Sequence, residues 1–340
     1  MSNYFEKQDL FLEPKVNQYG SHMVMTNVHK QTKTKYINID TRFRDEYNNN
    51  ELVNYNVTLP ERINDIKKMT VKSVELPMTM YNISAALGNN YFKITNDTTS
   101  SPVSTMITLR DGTYTMESLT TEIVYQITNL TNVIGSGPAN QLNYLRYKIE
   151  NNKSVFFREI IFEDGAVVNI DLIIDFAIDK YGNFDKYNFK SKLGWLLGYR
   201  DTTYTIKNIY TILADANEDA TTKQYIYEVS DTIIDLNGSK YLYLAIDEFS
   251  KSNPNSFVTP LPTSLINKSI IARIALDKTN YSFNSILPAN MYNGLLISDV
   301  RTYTGKIDVQ KLNLQLLNDF GNPISLNGMD FSLCLEVEYE

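Results

Sequence analysis

The chain has one cysteine, two histidines and one tryptophan in 340 residues. The single thiol, Cys334, cannot form an internal disulfide, and the sequence fits a protein that matures in a reducing compartment. His22 and His29 both precede the first strand-like segment. Structural zinc takes four Cys or His ligands and catalytic zinc takes two or three histidines, so neither kind of site is supplied. A Ser-His or Cys-His nucleophile would need a histidine docked from the N-terminal arm. Long apolar runs are missing too. The longest, Tyr241 to Ile246, is six residues, against the ~20 that a membrane-crossing helix needs. Met-Ser-Asn-Tyr-Phe-Glu-Lys at the start has no basic region leading into an apolar stretch, so no secretory signal is expected. Neither GxGxxG nor GxxxxGK[S/T] occurs, and Gly135-Ser136-Gly137 suits neither a phosphate loop nor a strand-to-helix elbow. No catalytic residue, cofactor or metal site can be named, and the expectation is a protein that is not an enzyme.

What the sequence does have is a core and an acidic balance. It is 43% hydrophobic and 21% charged, with 32 basic and 39 acidic side chains and a net charge of −7. That composition belongs to a folded chain with ample buried volume. The 24 tyrosines and 37 asparagines follow AT-rich codon usage, although the same residues suit a contact surface. The acidic trio Asp215, Glu218 and Asp219 could meet a hard cation, but the loop lacks ordered ligand spacing and reads as solvated charge. Between Asp201 and Ser250 there are nine acids and three bases, which disfavours a nucleic-acid surface there.

Periodicity is mostly two. Tyr36 to Ile39 is short and β-prone. Val53, Tyr55, Val57 and Leu59 alternate with polar residues until Pro60, which lacks an N–H for the ladder, and residues 71–76 make a second strand closed by Pro77. Residues 91–94, 106–109, 167–174, 241–246 and 270–276 add further strands. The strongest alternation comes last, at Val309 to Leu317 and at Phe331 to Tyr339, so the final strand should be structural. Cys334 sits on its less apolar face and reads as a packed small residue. One helix is clear: Thr115 can cap it, and Met116, Leu119, Ile123, Ile127 and Leu130 recur at three and four before Gly135-Ser136-Gly137-Pro138. Phe189 to Leu197, with Trp195 between Gly194 and Gly198, is a second, short helical candidate. Many short strands and no repeat at a period of roughly 20–50 residues point to a mainly β, jelly-roll β-sandwich. The expected organisation is an extended N-terminal arm over 1–34 carrying Lys30 and Lys33, a jelly roll from 35–110 and 238–340, and a helix-bearing insertion over 111–237.

Four segments, in order and spanning nearly the whole chain, carry a resemblance. They are Val24 to Lys30 leading into Lys35-Tyr36-Ile37-Asn38-Ile39-Asp40-Thr41-Arg42-Phe43-Arg44-Asp45; Val74-Glu75-Leu76-Pro77 through Gly88-Asn89-Asn90-Tyr91-Phe92; Leu193-Gly194-Trp195-Leu196-Leu197-Gly198-Tyr199-Arg200; and Arg301 to Gly305 through Leu312 to Gly321. Together they resemble the penton and minor capsid proteins of nucleocytoplasmic large DNA viruses, the giant viruses. At one point the chain departs from that family: Asp299-Val300-Arg301 lacks its proline. The resemblance implies a jelly-roll building block of an icosahedral shell, located in the virion and assembled in the host cytoplasm. Its implied partners are copies of itself, as a pentamer at five-fold vertices, and neighbouring major and minor capsid proteins. Nucleic acid is not expected as a partner, and no membrane span is expected.

Two other readings stay open: a minor, cementing capsid protein, and a carbohydrate-binding, fibre-type β-sandwich in which tyrosines such as Tyr241 and Tyr243 stack on sugars. A ring of identical copies needs unlike flanks. The stretch from Lys30 to Arg44 offers a basic one and Asp201 to Ser250 an acidic one.

Overall fold

The alternation at 53–59 and at 71–76 belongs to one strand, which runs straight through Pro60. In the computed structural model, which describes residues 31–46, 53–97, 102–134, 145–159, 171–207, 225–249 and 269–340, strand β2 spans Asn54–Pro77. It pairs antiparallel with β14 (Arg301–Leu317) along its first part and with β15 (Ser332–Tyr339) along its second. Thr58 is opposite Lys311 and Ile63 opposite Val309, so residues 59–62 face the single residue 310. Pro60 lies in this bulge, exposed, where no ladder bond asks for its missing N–H. A second bulge changes the buried face. Leu335 pairs with Val71 and Cys334 with Ser73, leaving Lys72 extra. Val71 and Val74 are therefore both buried, where strict alternation sets them on opposite faces.

Around β2 the sheet runs β1 (Lys33–Asp40), β15, β2, β14, β10 (Tyr241–Asp247), β11 (Ile270–Ala275) and β13 (Leu296–Ser298), with β12 (Ile286–Asn290) paired to the end of β2. Every pairing in it is antiparallel. The sheet curls until its last strand returns to the middle one: Ser298 Oγ accepts the Val71 N–H at 3.1 Å. Inside the curl, Ile66, Met69, Leu244, Ile274, Leu314, Leu335 and their neighbours form one apolar core. The fold is mainly β, a jelly-roll sandwich of curled antiparallel sheets. The last strand lies between β1 and β2, as its alternation leads one to expect.

Between β2 and β10 the chain builds a second core. One sheet orders β4 (Val103–Thr108), β3 (Tyr91–Asp97), β7 (Asp171–Asp175) and β8 (Thr203–Ile206). Another orders β5 (Leu145–Glu150), β6 (Lys153–Glu159) and β9 (Tyr225–Val229). Helix α1 (Met116–Ile134) covers them with Leu119, Ile123 and Ile127, while Met116, expected on this stripe, is exposed. The Thr115 hydroxyl accepts the Ser118 N–H at 3.2 Å, the expected cap. The boundary expected at 111 moves toward the N-terminus. β3 and β4 bury Phe92, Ile94 and Ile107 in the second core, whereas Met78 is still in the first, so the hand-over falls between Met78 and Ile83. Lys33 and Thr34, assigned to the arm, begin β1, and residues 1–30 lie outside the described residues.

The segment around Trp195 shows why sequence spacing misleads. Phe189–Ser191 is a 3-10 turn and only Leu193–Leu196, here α2, is α-helical. The two glycines act separately and not as a helix-packing pair. A Cβ on Gly194 would fall 2.4 Å from the Phe176 ring, and one on Gly198, where φ is +93°, would fall 2.2 Å from the Thr232 carbonyl oxygen. The chain then turns into Tyr199, which stacks on Phe176 at 4.8 Å and places its hydroxyl 3.3 and 3.2 Å from the Ser154 and Glu228 carbonyls.

Candidate functional site

The residues singled out by sequence do not converge. His22, His29, Lys30 and the trio Asp215, Glu218 and Asp219 lie outside the described residues. Among the described residues no three His, Cys, Asp or Glu side chains gather as a metal-ligating group. Cys334 is half-buried on β15, and burial, then the Glu75 and Glu336 carboxylates, push its thiol up. That is the reverse of what activates a nucleophile. Tyr243 is buried, and Tyr241 packs edge-on against it at 5.3 Å with the Arg273 guanidinium 4.2 Å from its own ring centroid. Tyr243 is thus a core residue and Tyr241 a half-buried one, the position expected if these rings serve packing and not sugar stacking.

Some charges of the basic and acidic stretches are paired within the chain. Lys35 pairs with Glu61, Arg42 with Asp40 at 2.5 Å, and Arg44 with Asp330. Arg44 also donates to the Thr41 carbonyl at 2.9 Å, so it ties the segment after β1 to the loop before β15. On the acidic side, Glu248 is paired with Arg301 in the interior. Asp231 accepts the Arg200 N–H at 2.8 Å and a hydrogen bond from the Tyr204 hydroxyl, which holds its carboxyl below the usual range. Tyr204 in turn is pushed up to about 12, first by burial and then by Asp231.

A depression of 160 Å³ on the outer face is lined by Lys68, Thr70, Lys72, Met291, Ser298, Val300, Glu336 and Glu338. Its lysines pair with its glutamates, Lys68 with Glu338 and Lys72 with Glu336, each at 2.8 Å. It presents balanced charge and no spare ligand.

The loop from Asp179 to Lys190 is different. Its backbone is tied down: the Asp179 carboxylate accepts the Tyr181 and Asn183 N–H groups at 2.8 and 2.9 Å. The Asp179 N–H reaches the Asn183 carbonyl at 2.8 Å, and Ile178 bridges Phe184. These bonds, the Asn183 N–H foremost, hold the Asp179 carboxyl below its ordinary value. Gly182, at φ +82°, makes the turn possible. On this fixed frame Tyr181, Phe184 and Tyr187 stand 74, 68 and 84% exposed, interleaved with exposed Lys180, Lys186 and Lys190. Lys180 and Lys186 lie 5.0 and 5.3 Å from the Tyr181 and Tyr187 ring centroids, and Lys190 and Arg200 flank Trp195 at 5.9 and 4.0 Å. Sequence reasoning passed over this loop because it has no period. The signal available was the aromatic at every third position, 181, 184 and 187, with lysines between.

No family model and no curated protein matches the chain. Among solved structures, that of the mavirus penton protein is similar, with a TM-score of 0.43 and 12% sequence identity over 92% of this chain and 100% of that chain.

Proposed function

We propose that this chain is a structural subunit of an icosahedral viral capsid and that it forms the five-fold vertices as a ring of identical copies. Its work is to fill space and make contacts, not to catalyse a reaction. The observation that carries this reading is the position of the four segments that resemble giant-virus penton and minor capsid proteins. Where described, each is a joint of the fold. Residues 35–45 form edge strand β1 and the turn pinned by Arg44 and Asp330. Residues 74–92 pass the chain from one core to the other, with Asn89 and Asn90 buried and the Asn90 side-chain amide donating to the Leu109 carbonyl at 3.0 Å. Residues 193–200 join the two sheets of the second core through Tyr199, whose hydroxyl bonds to β6 and β9 while its ring packs on Phe176 and on Tyr204 of β8. Residues 301–321 are β14 and the turn after it, where Asn318 Oδ1 accepts the Phe320 and Asn322 N–H groups at 3.0 and 2.8 Å. A resemblance concentrated on joints supports a shared shape, which is what a shell selects.

Copy number tests it. Electron cryomicroscopy of purified particles should place five copies at each vertex, and the isolated chain should form closed rings at high concentration. A copy number that grows with facet area would favour the cementing role instead, and absence from cleaned particles would refute the capsid reading altogether.

A further inference from the structure

We propose that the Asp179–Lys190 loop is a binding surface for an anionic polysaccharide, a chain of sulfated or carboxylated sugars. The inference goes beyond the shell role and does not depend on it. Elsewhere on this acidic protein the surface lysines are largely neutralised: Lys35, Lys68, Lys72 and Lys148 each hold a carboxylate. On this loop Lys180, Lys186 and Lys190 hold none among the described residues, since Asp179 is occupied by backbone N–H groups and Asp185 by the buried Lys192 at 3.1 Å. Positive charge without a carboxylate partner therefore coincides with three of the five most exposed aromatic rings among the described residues.

Exposed rings cost free energy in water and large exposed apolar patches mark contacts. Here the loop backbone is already ordered, so little conformational entropy is lost when a ligand lies on it. The apolar C–H face of a sugar ring lies flat on an aromatic ring, and a tyrosine adds a polar tip for sugar hydroxyls. An ammonium held about 5 Å from the same ring, as at Tyr181 and Tyr187, meets the sulfate or carboxylate of the stacked sugar. Nucleic acid fits less well. The loop has no arginine for a bidentate phosphate or guanine fork.

The test is binding of the full chain to heparin across a salt series, with neutral dextran, a single-stranded DNA oligonucleotide and phosphatidylserine vesicles as comparison ligands. Three sets of substitutions are compared, all at exposed positions and all checked for an unchanged melting curve. Lys180→Gln, Lys186→Gln and Lys190→Gln together should weaken heparin binding by about tenfold or more and flatten its salt dependence. Tyr181→Ser, Phe184→Ser and Tyr187→Ser together should weaken it by about tenfold while leaving the salt dependence in place. Lys33→Gln, Lys207→Gln and Lys240→Gln, which remove the same charge from exposed lysines elsewhere that hold no carboxylate among the described residues, should change it by less than about twofold. Absence of heparin binding overturns the proposal, as does an equal loss in the third set. So does equally tight binding of the oligonucleotide or the vesicles through the same loop, which would make it a nucleic-acid or a membrane surface.

Discussion

Arg301 and Glu248 form an ion pair in which neither side chain has any exposed surface. The guanidinium Nη1 donates to Glu248 Oε2 at 2.7 Å and to the Ile246 carbonyl at 2.9 Å, and Nη2 donates to the Ser269 carbonyl at 2.8 Å. One side chain thus holds both ends of the connection from β10 to β11 and anchors them to the first residue of β14.

Removing one member of this pair strands a charge in the interior. Arg301→Ala or Glu248→Ala should each cost about 3–5 kcal/mol, read by denaturant unfolding. Arg301→Met combined with Glu248→Leu should cost less than either single change, because no lone charge remains and only the two carbonyls lose their donor. If the double variant were the least stable of the three, the pair would not be the source of the cost.

The two glycines flanking Trp195 should be intolerant for different reasons. Gly194→Ala drives a methyl into the Phe176 ring and Gly198→Ala combines left-handed backbone with a clash on the Thr232 carbonyl. Each should lower stability by about 1–3 kcal/mol or more. Pro60→Ala, in its bulge, should stay within about 0.5 kcal/mol of the parent. Thermal melts of the three variants check the ordering.

Alkali should unfold the protein steeply. Tyr204 is pushed up to about 12, and burial also raises Tyr147, Tyr199 and Tyr303. Raised acids favour the neutral native form, so their contribution is complete below the ordinary tyrosine value near 10. It is lost as pH rises through the folded values. Tyr204→Phe should remove one proton from the slope of stability against pH between about 10 and 12. An unchanged slope would show that Tyr204 does not ionise on unfolding.

Acid acts through Glu122. Burial alone would raise its carboxyl, but the Arg110 side chain, with Gln126, holds it below the usual range. The stabilisation is present above the ordinary glutamate value and is lost as pH falls through the lowered one. Arg110→Gln should therefore shift the acid unfolding midpoint upward, measured by circular dichroism.

Deleting residues 332–340 should abolish soluble folded protein. β15 separates β1 from β2 and carries Leu333, Leu335 and Val337 into the first core. A truncated chain that still gave a cooperative melt would contradict this.

The local elements were largely legible in sequence, because period two and period 3.6 are properties of neighbouring residues. Tyr55, Val57 and Leu59, then Leu119, Ile123 and Ile127 of α1, and Phe331, Leu333, Leu335 and Val337 bury the face their spacing names. Several features were decided by tertiary structure alone. Pro60 continues a strand because β2 bulges there and β14 does not need its N–H, and Lys72 reverses a buried face because β15 skips it. β3, with β4 paired to it, leaves the jelly roll because its other partner β7 lies about 80 residues downstream, a pairing invisible to any window. Charge behaved the same way. The basic stretch near Arg44 and the acidic stretch near Glu248 read as opposed surfaces, yet Asp330 and Arg301, far along the chain, neutralise them inside the fold. Composition sets how much charge a chain carries, and only the fold decides which charges face water. Lys180, Lys186 and Lys190 are among those it leaves there, and they stand beside aromatic rings.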